Sequence, residues 1–464
     1  MPYGCLPKDD PVNERPDPPA TQSADPVGSD AGRGLPVPSG RVARLLRMGG
    51  MAGGIAGGML VSGVQHMAAG RRPRAADLLM TPANARRVAQ ELSRMRGAAM
   101  KVGQLLSMDA GDVLPPEIAA ILDRLREDAD PMPPKQLRCV LDAEWGRDWL
   151  RGFERFDVRP IAAASIGQVH RARTREGQDL AIKVQYPGIR AAIDSDVDNV
   201  SALMRYLGAL PRGLDLRPLM EDAKRQLHEE ADYLREADAL EAFGGFLSGS
   251  TDFLVPRRHE ALCTPNVLAM DYMDSRPIAG LTEAPQELRD RVAGLLIDLV
   301  LRELFEFGAM QTDPNFANYR YDARTGQVVL LDFGAARWFS PELRGAFHRL
   351  MTGGLARDRA RAEAAALELC LFDAGTPAHH RDVIFAMMDT GMEALRHDAP
   401  FDFGTSDLAI RLRDMGLEIG TEREFWHVPA TDTLLVQRKV AGTYLLAARL
   451  RARVNLTRIV ARYR

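Results

Sequence analysis

The chain has 464 residues, of which 27% are charged and 46% are hydrophobic, and its formal net charge is −3 at pH 7. A chain of this length can bury a large core and should hold more than one lobe or domain. The small net charge gives no whole-chain reason to expect a nucleic-acid partner. The cysteines have no metal-binding or redox spacing, which is typical of a reducing compartment. They are Cys5, Cys139, Cys263 and Cys370.

Residues 1–40 are rich in Pro, Asp, Ser and Gly, so we expect a disordered tail. The tail has neither a signal-peptide pattern nor the arginine-rich, acid-poor pattern of a mitochondrial presequence. Residues 41–75 are Gly-rich, and the stretch 48–70 contains no Asp, Glu, Lys or Arg. Glycines four apart permit close helix packing. This segment is therefore a soluble linker or a membrane-contacting or dimerising helix, and full spanning is the less favoured form because Leu and Ile are scarce.

Residues 76–150 are predicted to form a helical extension, which begins with Thr81 as a capping residue and Pro82 in the first turn. Lys101 and Gln104 are three residues apart and share one face of the first helix. A polar pair on a mainly apolar helix should have a partner; the alternative is a surface pair at the helix edge. The predicted helices are Thr81–Asp109, Pro116–Arg126 and Lys135–Trp145.

Residues 151–273 change in character, because short apolar runs alternate there with turns. Strands are predicted within Phe153–Phe156, Ile161–Val169 and Asp179–Val184. A strand, a small-residue turn and a returning strand are the arrangement by which kinases cover the phosphates of ATP.

An alanine run stands where the first glycines of a kinase Gly-rich loop are expected: Ala162, Ala163 and Ala164, followed by Ser165. Methyl groups restrict the approach of the backbone to phosphate, so nucleotide handling should differ from that of an ordinary kinase. Lys183 ends an Ala-Ile-Lys sequence that is typical of the strand whose lysine contacts the α and β phosphates. We assign these residues to ATP or ADP binding.

Leu216–Phe243 is predicted to be one helix that carries the acidic partner of Lys183. Glu230 and Glu236 lie about 240° apart around an ideal helix, so they cannot serve one partner. We assign Glu236 to Lys183 and expect Glu230 to face Lys101. The alternative is a solvated acidic face paired with nearby arginines.

Asn266–Met273 is predicted to be a short strand that leads to a polar turn. It fits a hinge whose backbone reads adenine, with Met270 and Tyr272 as the nucleotide-contacting positions. Residues 274–464 are predicted to form a helix-rich lobe, which includes the amphipathic helix Pro285–Phe307. The arginines of its last turns form a solvated helix face or a contact with anionic lipid.

Asp313 and Asn318 have the spacing of a kinase catalytic loop. Such an Asp accepts a proton from, or orients, an attacking hydroxyl, and the Asn holds a metal. The apolar run 328–331 then delivers Asp332 in an Asp-Phe-Gly sequence, where a carboxylate binds Mg²⁺ that bridges phosphates. Either piece alone would be ordinary turn chemistry, but together and in this order they predict a Mg-ATP site.

The chain also departs from the conventional protein-kinase pattern. Gln311 and Thr312 replace the His-Arg that usually precedes the catalytic Asp. After Gly334 the chain runs directly into a helical pattern, with no long activation segment and no Ala-Pro-Glu. These absences argue against a platform for a peptide substrate. A second Asp-Phe-Gly, at Asp402, follows no apolar strand, so we predict a turn there.

The combined motifs indicate a family. From about Arg41 to the C-terminus the chain resembles the UbiB-type atypical kinases, also called the AarF-domain or ADCK family, and it is similar to the branch with the mitochondrial coenzyme Q chaperone kinases. An Ala-rich loop with a Lys-x-Gly-Gln helix is not found in ordinary kinases. The motifs that carry the resemblance lie at 101–104, 162–170, 230–233, 310–315 and 331–334.

The resemblance implies an α+β, protein-kinase-like fold of two lobes, with a small β-sheet N-lobe and a helical C-lobe. It also implies that the N-terminal helical extension lies over the active site and blocks the usual protein-substrate groove. Lys101 and Gln104 would then reach into the site, with Glu230 and Asp232 facing them.

The resemblance further implies the roles of five residues in ATP and Mg²⁺ chemistry. Lys183 would contact phosphates and be oriented by Glu236. Asp313 would be the catalytic-loop aspartate. Asn318 and Asp332 would bind Mg²⁺.

The implied function is a Mg-ATP-dependent kinase or ATPase that supports ubiquinone biosynthesis at the membrane. The implied partners are ATP, a membrane lipid or quinone precursor, and ubiquinone-biosynthesis proteins. We expect a bacterial cytoplasmic location at the inner membrane, or the mitochondrial matrix face in a eukaryote. Two other functions stay open: a small-molecule or lipid phosphotransferase, which the missing activation segment favours, and a nucleotide-binding scaffold of a biosynthetic complex.

Overall fold

The computed structural model describes residues 97–99, 131–164, 166–206, 217–420 and 429–464. The predicted tail 1–40 and the Gly-rich segment 41–75 lie outside these residues. The predicted helix Pro116–Arg126 also lies outside them. Of the predicted helix Thr81–Asp109, residues 97–99 are described, and they are helical and buried. The domain boundaries predicted from the sequence stay predictions.

In the described part of the chain, the strands form a five-stranded sheet, a four-stranded sheet and two strand pairs. The strands predicted within Phe153–Phe156, Asp179–Val184 and Asn266–Met273 are present, with ends shifted by at most two residues, whereas the predicted stretch Ile161–Val169 is divided into two strands, the second of which ends at Thr174. The strands are β1 (Phe153–Phe156), β2 (Ala162–Ala163), β3 (Gly167–Thr174), β4 (Asp179–Gln185), β5 (Phe253–Leu254), β6 (Val267–Asp271), β7 (Arg276–Pro277), β8 (Ala309–Gln311), β9 (Tyr319–Asp322), β10 (Gln327–Leu330), β11 (Ala336–Trp338), β12 (Phe401–Asp402) and β13 (Arg453–Val454).

The five-stranded sheet is antiparallel, in the order β1-β3-β4-β6, with β2 paired to β3. Strand β4 is buried along almost its whole length because it is central and carries apolar residues on both faces. Lys183 lies in the middle of this strand, opposite Val169 on one side and Leu268 on the other. The sheet therefore holds the Lys183 backbone from two sides.

Helices surround this sheet and make up most of the carboxy-terminal lobe. The predicted helix Lys135–Trp145 is confirmed, whereas the helix after β4 had no predicted counterpart. The helices are α1 (Pro134–Trp145), α2 (Ile189–Tyr206), α3 (Arg217–Glu230), α4 (Tyr233–Phe246), α5 (Gln286–Arg302), α6 (Pro341–Ala356), α7 (Arg359–Glu368), α8 (Ala378–Arg396), α9 (Leu408–Gly420), α10 (Thr431–Arg449) and α11 (Leu456–Val460).

The prediction of one continuous helix over Leu216–Phe243 is wrong. The chain leaves the helical conformation at Asp232, where φ is −101° and ψ is 89°, and helix α4 begins after it. The Asp232 carboxylate accepts a hydrogen bond from the backbone N–H of Arg235, as an N-cap residue does. Glu230 and Glu236 therefore lie on different helices. The angle predicted between them around a single helix does not apply.

The predicted helix Pro285–Phe307 is confirmed in most of its length. Helix α5 continues as one π-helical turn, Glu303–Phe307, which ends at Gly308 with φ of 64°. A π turn rotates side chains relative to an α-helix and is frequent at functional sites. Here it turns Glu303 into the interior of the lobe, where the side chain is 1% exposed.

The second Asp-Phe-Gly forms a turn, as predicted. The Asp402 carboxylate accepts hydrogen bonds from the backbone N–H groups of Gly404 and Thr405, and it forms an ion pair with Arg453. Two further arginines of the last turns, Arg458 and Arg462, also pair with acidic residues of the chain. These ion pairs favour the interpretation of the terminal arginines as a solvated face.

No helix within the described ranges is both long enough and apolar enough to cross a membrane.

Candidate active site

Three charged side chains meet beside the centre of the five-stranded sheet. Lys183 Nζ lies 2.8 Å from both carboxylate oxygens of Glu236, which is in the first turn of α4. It also lies 3.8 Å from Oδ2 of Asp332, which follows β10. The expected contact between Lys183 and Glu236 is thus present. The role of Lys183 in phosphate contact stays a prediction.

The surroundings of this group shift its protonation equilibria. Burial alone would lower the pKa of Lys183, but the carboxylates of Asp332 and Glu236 raise that pKa above its ordinary range. Burial raises the pKa of Glu236 to about 7, although Lys183 opposes the rise. Because Nζ contacts both oxygens, we take the pair as ionised once the pH exceeds this value.

Tyr233 packs against the ammonium group of Lys183. Its ring centroid lies 5.0 Å from Nζ, which is cation–π distance. In the part of the chain that the structure describes, its hydroxyl has no hydrogen-bond partner. A Cβ atom on Gly167 would lie 2.6 Å from this hydroxyl and 2.5 Å from the carbonyl oxygen of Val184. Gly167 therefore allows the tyrosine to lie directly against the sheet.

Asp332 is oriented by its own turn. Its Oδ1 accepts a hydrogen bond of 3.0 Å from the Gly334 N–H, and the side chain is 40% exposed. The next residue, Phe333, is 1% exposed, and its ring lies 4.8 Å from the ring of Phe243 on α4. The buried ring anchors the turn, so the aspartate stays at the surface of the cleft.

The segment after Asp332 is held by helices α3 and α4. Arg235 donates hydrogen bonds to the carbonyl oxygens of Gly334 at 3.1 Å and Ala336 at 2.7 Å. Arg337 forms an ion pair of 2.6 Å with Glu229. Helix α6 begins at Pro341, so the prediction that no long activation segment follows Asp-Phe-Gly is confirmed.

The Asp313 loop lies beside the strand end that carries Asp332. Asn318 donates a hydrogen bond from Nδ2 to Oδ2 of Asp313 at 3.0 Å, and Asn315 N–H donates to Oδ1 at 3.3 Å. The N–H of Leu331 donates to the carbonyl oxygen of Asn318 at 3.2 Å. The β9–β10 hairpin thus places the backbone of Asn318 beside Leu331, the residue before Asp332.

This donor set fits Mg²⁺ bound together with a nucleotide. Mg²⁺ is usually held by one or two protein carboxylates, with substrate phosphates and waters completing the shell. Asp332 offers Oδ2, because Oδ1 already accepts from the Gly334 N–H, and Asn318, whose Nδ2 is engaged with Asp313, offers its amide oxygen. Among the described residues no group of three or more His, Cys, Asp or Glu side chains could hold a metal by itself.

The alanine run forms the short strand β2 and begins the turn that leads to β3. Ala162 and Ala163 pair with β3, and the N–H of Ala164 donates to the carbonyl oxygen of Gly167 at 2.9 Å. Both paired alanines are exposed. Ser165 lies outside the described residues. Nucleotide contact by this turn stays a prediction.

Met270 and Tyr272 lie at the end of β6, next to β4. Met270 is 6% exposed, and the Tyr272 N–H donates to the carbonyl oxygen of Asp179 at 2.9 Å. The guanidinium of Arg171 lies 4.1 Å from the Tyr272 ring centroid. The predicted strand is confirmed, and adenine contact at its end stays a prediction.

Lys101 and Gln104 lie outside the described residues, so their contact with Glu230 and Asp232 stays a prediction. Asp232 caps α4 and lies 3.7 Å from Arg190.

A second buried charge pair was missed by sequence reasoning. Lys439 on α10 lies 3.1 Å from Glu303 and contacts both Gln311 and Tyr319, which flank the Asp313 loop. The signal was present in the sequence, because Lys439 interrupts an apolar helix face that includes Val436. A lysine alone on such a face needs a buried partner.

Comparison with known proteins shows which family the chain belongs to. Residues 124–366 match the ABC1 atypical kinase-like domain. The chain belongs to this family. It is 35% identical over 426 residues to the atypical kinase COQ8, mitochondrial, of Saccharomyces cerevisiae, covering 91% of this chain and 84% of that protein. It is 36% identical over 432 residues to the atypical kinase COQ8B, mitochondrial, of Rattus norvegicus, covering 92% and 81%.

The fold has a solved counterpart. The Rv3197 chain of an erythromycin complex from Mycobacterium tuberculosis superposes with a TM-score of 0.56 at 23% identity, over 82% of this chain and 95% of that chain. The predicted UbiB-type family and protein-kinase-like fold are confirmed. The chain is an atypical kinase-like enzyme, of the class that transfers or hydrolyses the terminal phosphate of ATP.

Proposed function

We propose that this member of the ABC1 family is a Mg-ATP-dependent atypical kinase or ATPase that supports ubiquinone biosynthesis at the membrane. The observation that carries the nucleotide part is the single cluster of Lys183, Glu236 and Asp332, with Asn318 and Asp313 beside it. The resemblance to coenzyme Q chaperone kinases carries the ubiquinone part. The proposed site is peripheral to the bilayer, on the cytoplasmic side in a bacterium.

Four residues of the proposed site bind and orient the nucleotide and its metal ion. Lys183 has a positive charge that the neighbouring carboxylates maintain, and it can donate to phosphate oxygens. Glu236 fixes the lysine by contacting Nζ with both oxygens. Asp332 and Asn318 would hold Mg²⁺, which when bound would neutralise charge on the phosphates.

Asp313 is placed to handle the proton of an attacking hydroxyl or water. Its Oδ2 accepts from Asn318 and its Oδ1 from the backbone of Asn315, so the carboxylate is oriented on both sides. A carboxylate held in this way can orient a nucleophile and accept its proton as the bond to phosphorus forms.

The alternative function is phosphate transfer to a small molecule or lipid. One observation favours it, since only residues 335–340 separate the Asp-Phe-Gly from helix α6. A segment this short provides no platform along which a peptide could lie. Transfer of labelled phosphate from ATP into a lipid or quinone-precursor extract separates this function from hydrolysis.

The second Asp-Phe-Gly supplies a matched control for the metal assignment. We expect Asp332→Asn to abolish the enhancement of ATP affinity by Mg²⁺, a loss of about tenfold or more. Asp402→Asn should leave this enhancement intact, because Asp402 only caps a turn and pairs with Arg453. Calorimetric titration of ATP with and without Mg²⁺ measures both variants. An unchanged Mg²⁺ effect in Asp332→Asn would show that the metal assignment is wrong.

The biosynthetic role needs a separate experiment. A deletion strain rescued by wild type, Asp332→Asn or Asp402→Asn should regain its quinone profile with the first and third forms only. Rescue by all three forms would favour a scaffold without metal chemistry.

A further inference from the structure

Helix α10 runs beneath the Asp313 loop and touches it at three points. Lys439, Gly442 and Arg449 provide these contacts, and they are three and seven residues apart along the helix. Residues at this spacing share one face. A single helix face therefore meets the loop along its length.

The first contact joins the two ends of the loop. Lys439 Nζ donates to the carbonyl oxygen of Gln311 and to Oη of Tyr319, both at 2.7 Å. Gln311 precedes the loop and Tyr319 directly follows Asn318. One ammonium group therefore sets the distance between the strand that enters the loop and the strand that leaves it.

Glu303 completes this junction from the π turn after α5. Its Oε2 lies 3.1 Å from Lys439 Nζ, and its Oε1 accepts from the Gln311 N–H at 3.4 Å. Burial alone would lower the pKa of Lys439, but Glu303 and Tyr319 raise it above its ordinary value, so the lysine stays charged. The three hydrogens of Nζ each have an oxygen neighbour, and the side chain is 2% exposed. Lys439 is thus unable to touch a substrate.

The second contact is steric. A Cβ atom on Gly442 would lie 2.1 Å from Cβ and 3.0 Å from Cγ of Pro314, the residue after Asp313. The proline ring is rigid and cannot rotate away. The helix and the loop are therefore as close as the absence of a side chain at Gly442 permits. The third contact is the guanidinium of Arg449, 5.9 Å from the ring centroid of Phe316.

We propose that α10 positions the Asp313 loop, with Lys439 and Gly442 as its positioning residues. The helix replaces the support that the His-Arg before a kinase catalytic Asp usually gives. This proposal rests on the proposed function for its catalytic consequence, because Asp313 and Asn318 are the two residues that the loop presents. Its structural part, the placement of the loop by α10, is testable without nucleotide.

The main test is Gly442→Ala, with Gly391→Ala on helix α8 as the matched control. A Cβ at Gly391 meets no atom within 4 Å, so the control adds the same methyl group to a helix without a clash. We expect Gly442→Ala to reduce kcat with Mg-ATP about ten- to a hundredfold, because the loop shifts relative to Lys183. Affinity for metal-free nucleotide, which depends on Lys183, should change less than about twofold. Gly391→Ala should match wild type in both measurements.

A double-mutant cycle shows whether the effect passes through Pro314. Pro314→Gly removes both atoms that would clash, and the nearest remaining atom, Cα, is at 3.4 Å. In this background Gly442→Ala should lower kcat by less than about twofold. An equal loss in both backgrounds would overturn the steric part of the proposal.

Hydrogen exchange separates failure of this proposal from failure of the proposed function. Gly442→Ala should accelerate exchange of the amides in 312–318 and leave strands β3 and β4 unchanged. Wild type that neither binds nor hydrolyses ATP would refute the proposed function. The hydrogen-exchange result would still test whether α10 positions the Asp313 loop. Unchanged exchange in 312–318, or kcat and metal-free affinity falling together, would refute the positioning.

Lys439→Arg serves if Gly442→Ala does not fold. The variant keeps the charge, but a planar guanidinium cannot reach the same three oxygens. We expect the same pattern as for Gly442→Ala: kcat falls, affinity for metal-free nucleotide is preserved, and hydrogen exchange of the amides in 312–318 is faster. A variant that equals wild type in all three measurements would refute the role of Lys439.

Discussion

Two buried lysine–glutamate pairs lie in the described part of the chain, one in each lobe, and they differ in what else the lysine contacts. Lys183 has Glu236 as its close partner, and the third group, Asp332, is 3.8 Å away with a side chain that is 40% exposed. Lys439 has Glu303, together with a carbonyl and a tyrosine hydroxyl, all within 3.1 Å. The first lysine retains room for a ligand, whereas the second has none.

The same type of contact can therefore serve either ligand binding or the support of a loop. A buried ion pair by itself contributes little net stability, because desolvation of both charges offsets their attraction. What the pair does is decided by the remaining hydrogens of the ammonium group. In the amino-terminal lobe Glu236 takes two of the hydrogens, and Asp332 lies 3.8 Å from Nζ. In the carboxy-terminal lobe the hydrogens connect β8 to β9.

The largest expected effect comes from replacing each lysine with methionine, which has a similar shape and no charge. Lys439→Met leaves Glu303, Gln311 and Tyr319 without their donor in a closed interior. We expect it to lower the free energy of unfolding by about 3–5 kcal/mol. Lys183→Met should cost less stability, because Glu236 is the one buried group that loses its donor there, compared with three groups around Lys439. It should reduce ATP turnover about a hundredfold or more.

Urea denaturation and phosphate release measure these two effects. The comparison would be contradicted if Lys183→Met were the less stable variant, or if Lys439→Met retained full stability.

The next expected effect is a pH dependence of activity that originates in the amino-terminal pair. The pKa of Glu236 is raised from 4.5 to about 7. Its carboxyl group therefore adds stability at pH values below 4.5, and this contribution is lost as the pH rises through about 7. Activity needs the opposite form, since the ionised carboxylate orients Lys183. We expect kcat/KM to rise about tenfold between pH 6 and pH 8 as the group ionises.

Two glutamine variants assign this rise to one carboxyl group. Glu236→Gln should remove the pH dependence of kcat/KM, whereas Glu303→Gln should keep its shape at a reduced level. A rise that persists in Glu236→Gln would assign the titration to a different group.

The smallest expected effect is a loss of stability from a change in the packing around Lys183. Gly167→Ala brings a methyl group to within 2.6 Å of the Tyr233 hydroxyl, so we expect a loss of about 1–3 kcal/mol in unfolding free energy. Gly152→Ala, where a Cβ meets no atom within 4 Å, should change stability by less than about 0.5 kcal/mol. Thermal unfolding of both variants is the measurement, and equal losses would show that Gly167 is not constrained.

Site residues that belong to a short local sequence motif could be predicted from the sequence. Asp313 and Asn318 lie in one loop and Asp332 at one strand end, so spacing alone was enough to group them. The β9–β10 hairpin then brings the backbone of Asn318 beside Leu331, the residue before Asp332. Lys183 and Glu236 were paired because a buried lysine needs an acid on a neighbouring helix.

Features that depend on distant packing were not found. Asp232 lies within a run of good helix formers, where its tendency to cap a new helix competes with continuation, and the sequence does not show which tendency wins. The position of Lys439 on an apolar helix face indicates that it needs a partner, but the sequence does not show that Glu303 is this partner before α10 is packed against the π turn. Their partnership is decided by tertiary structure, which has no local pattern.

The short connection between Asp-Phe-Gly and α6 has a consequence for regulation. Its one hydroxyl side chain is that of Ser340, whose Oγ accepts the Leu343 N–H at 3.2 Å as the cap of α6. In conventional kinases a phosphate added to this region pairs with an arginine and switches the enzyme on. Here Thr312 replaces the arginine that precedes the catalytic aspartate of conventional kinases and receives such a phosphate. We therefore expect the rate of turnover to be governed by what the protein binds rather than by a covalent mark on this segment.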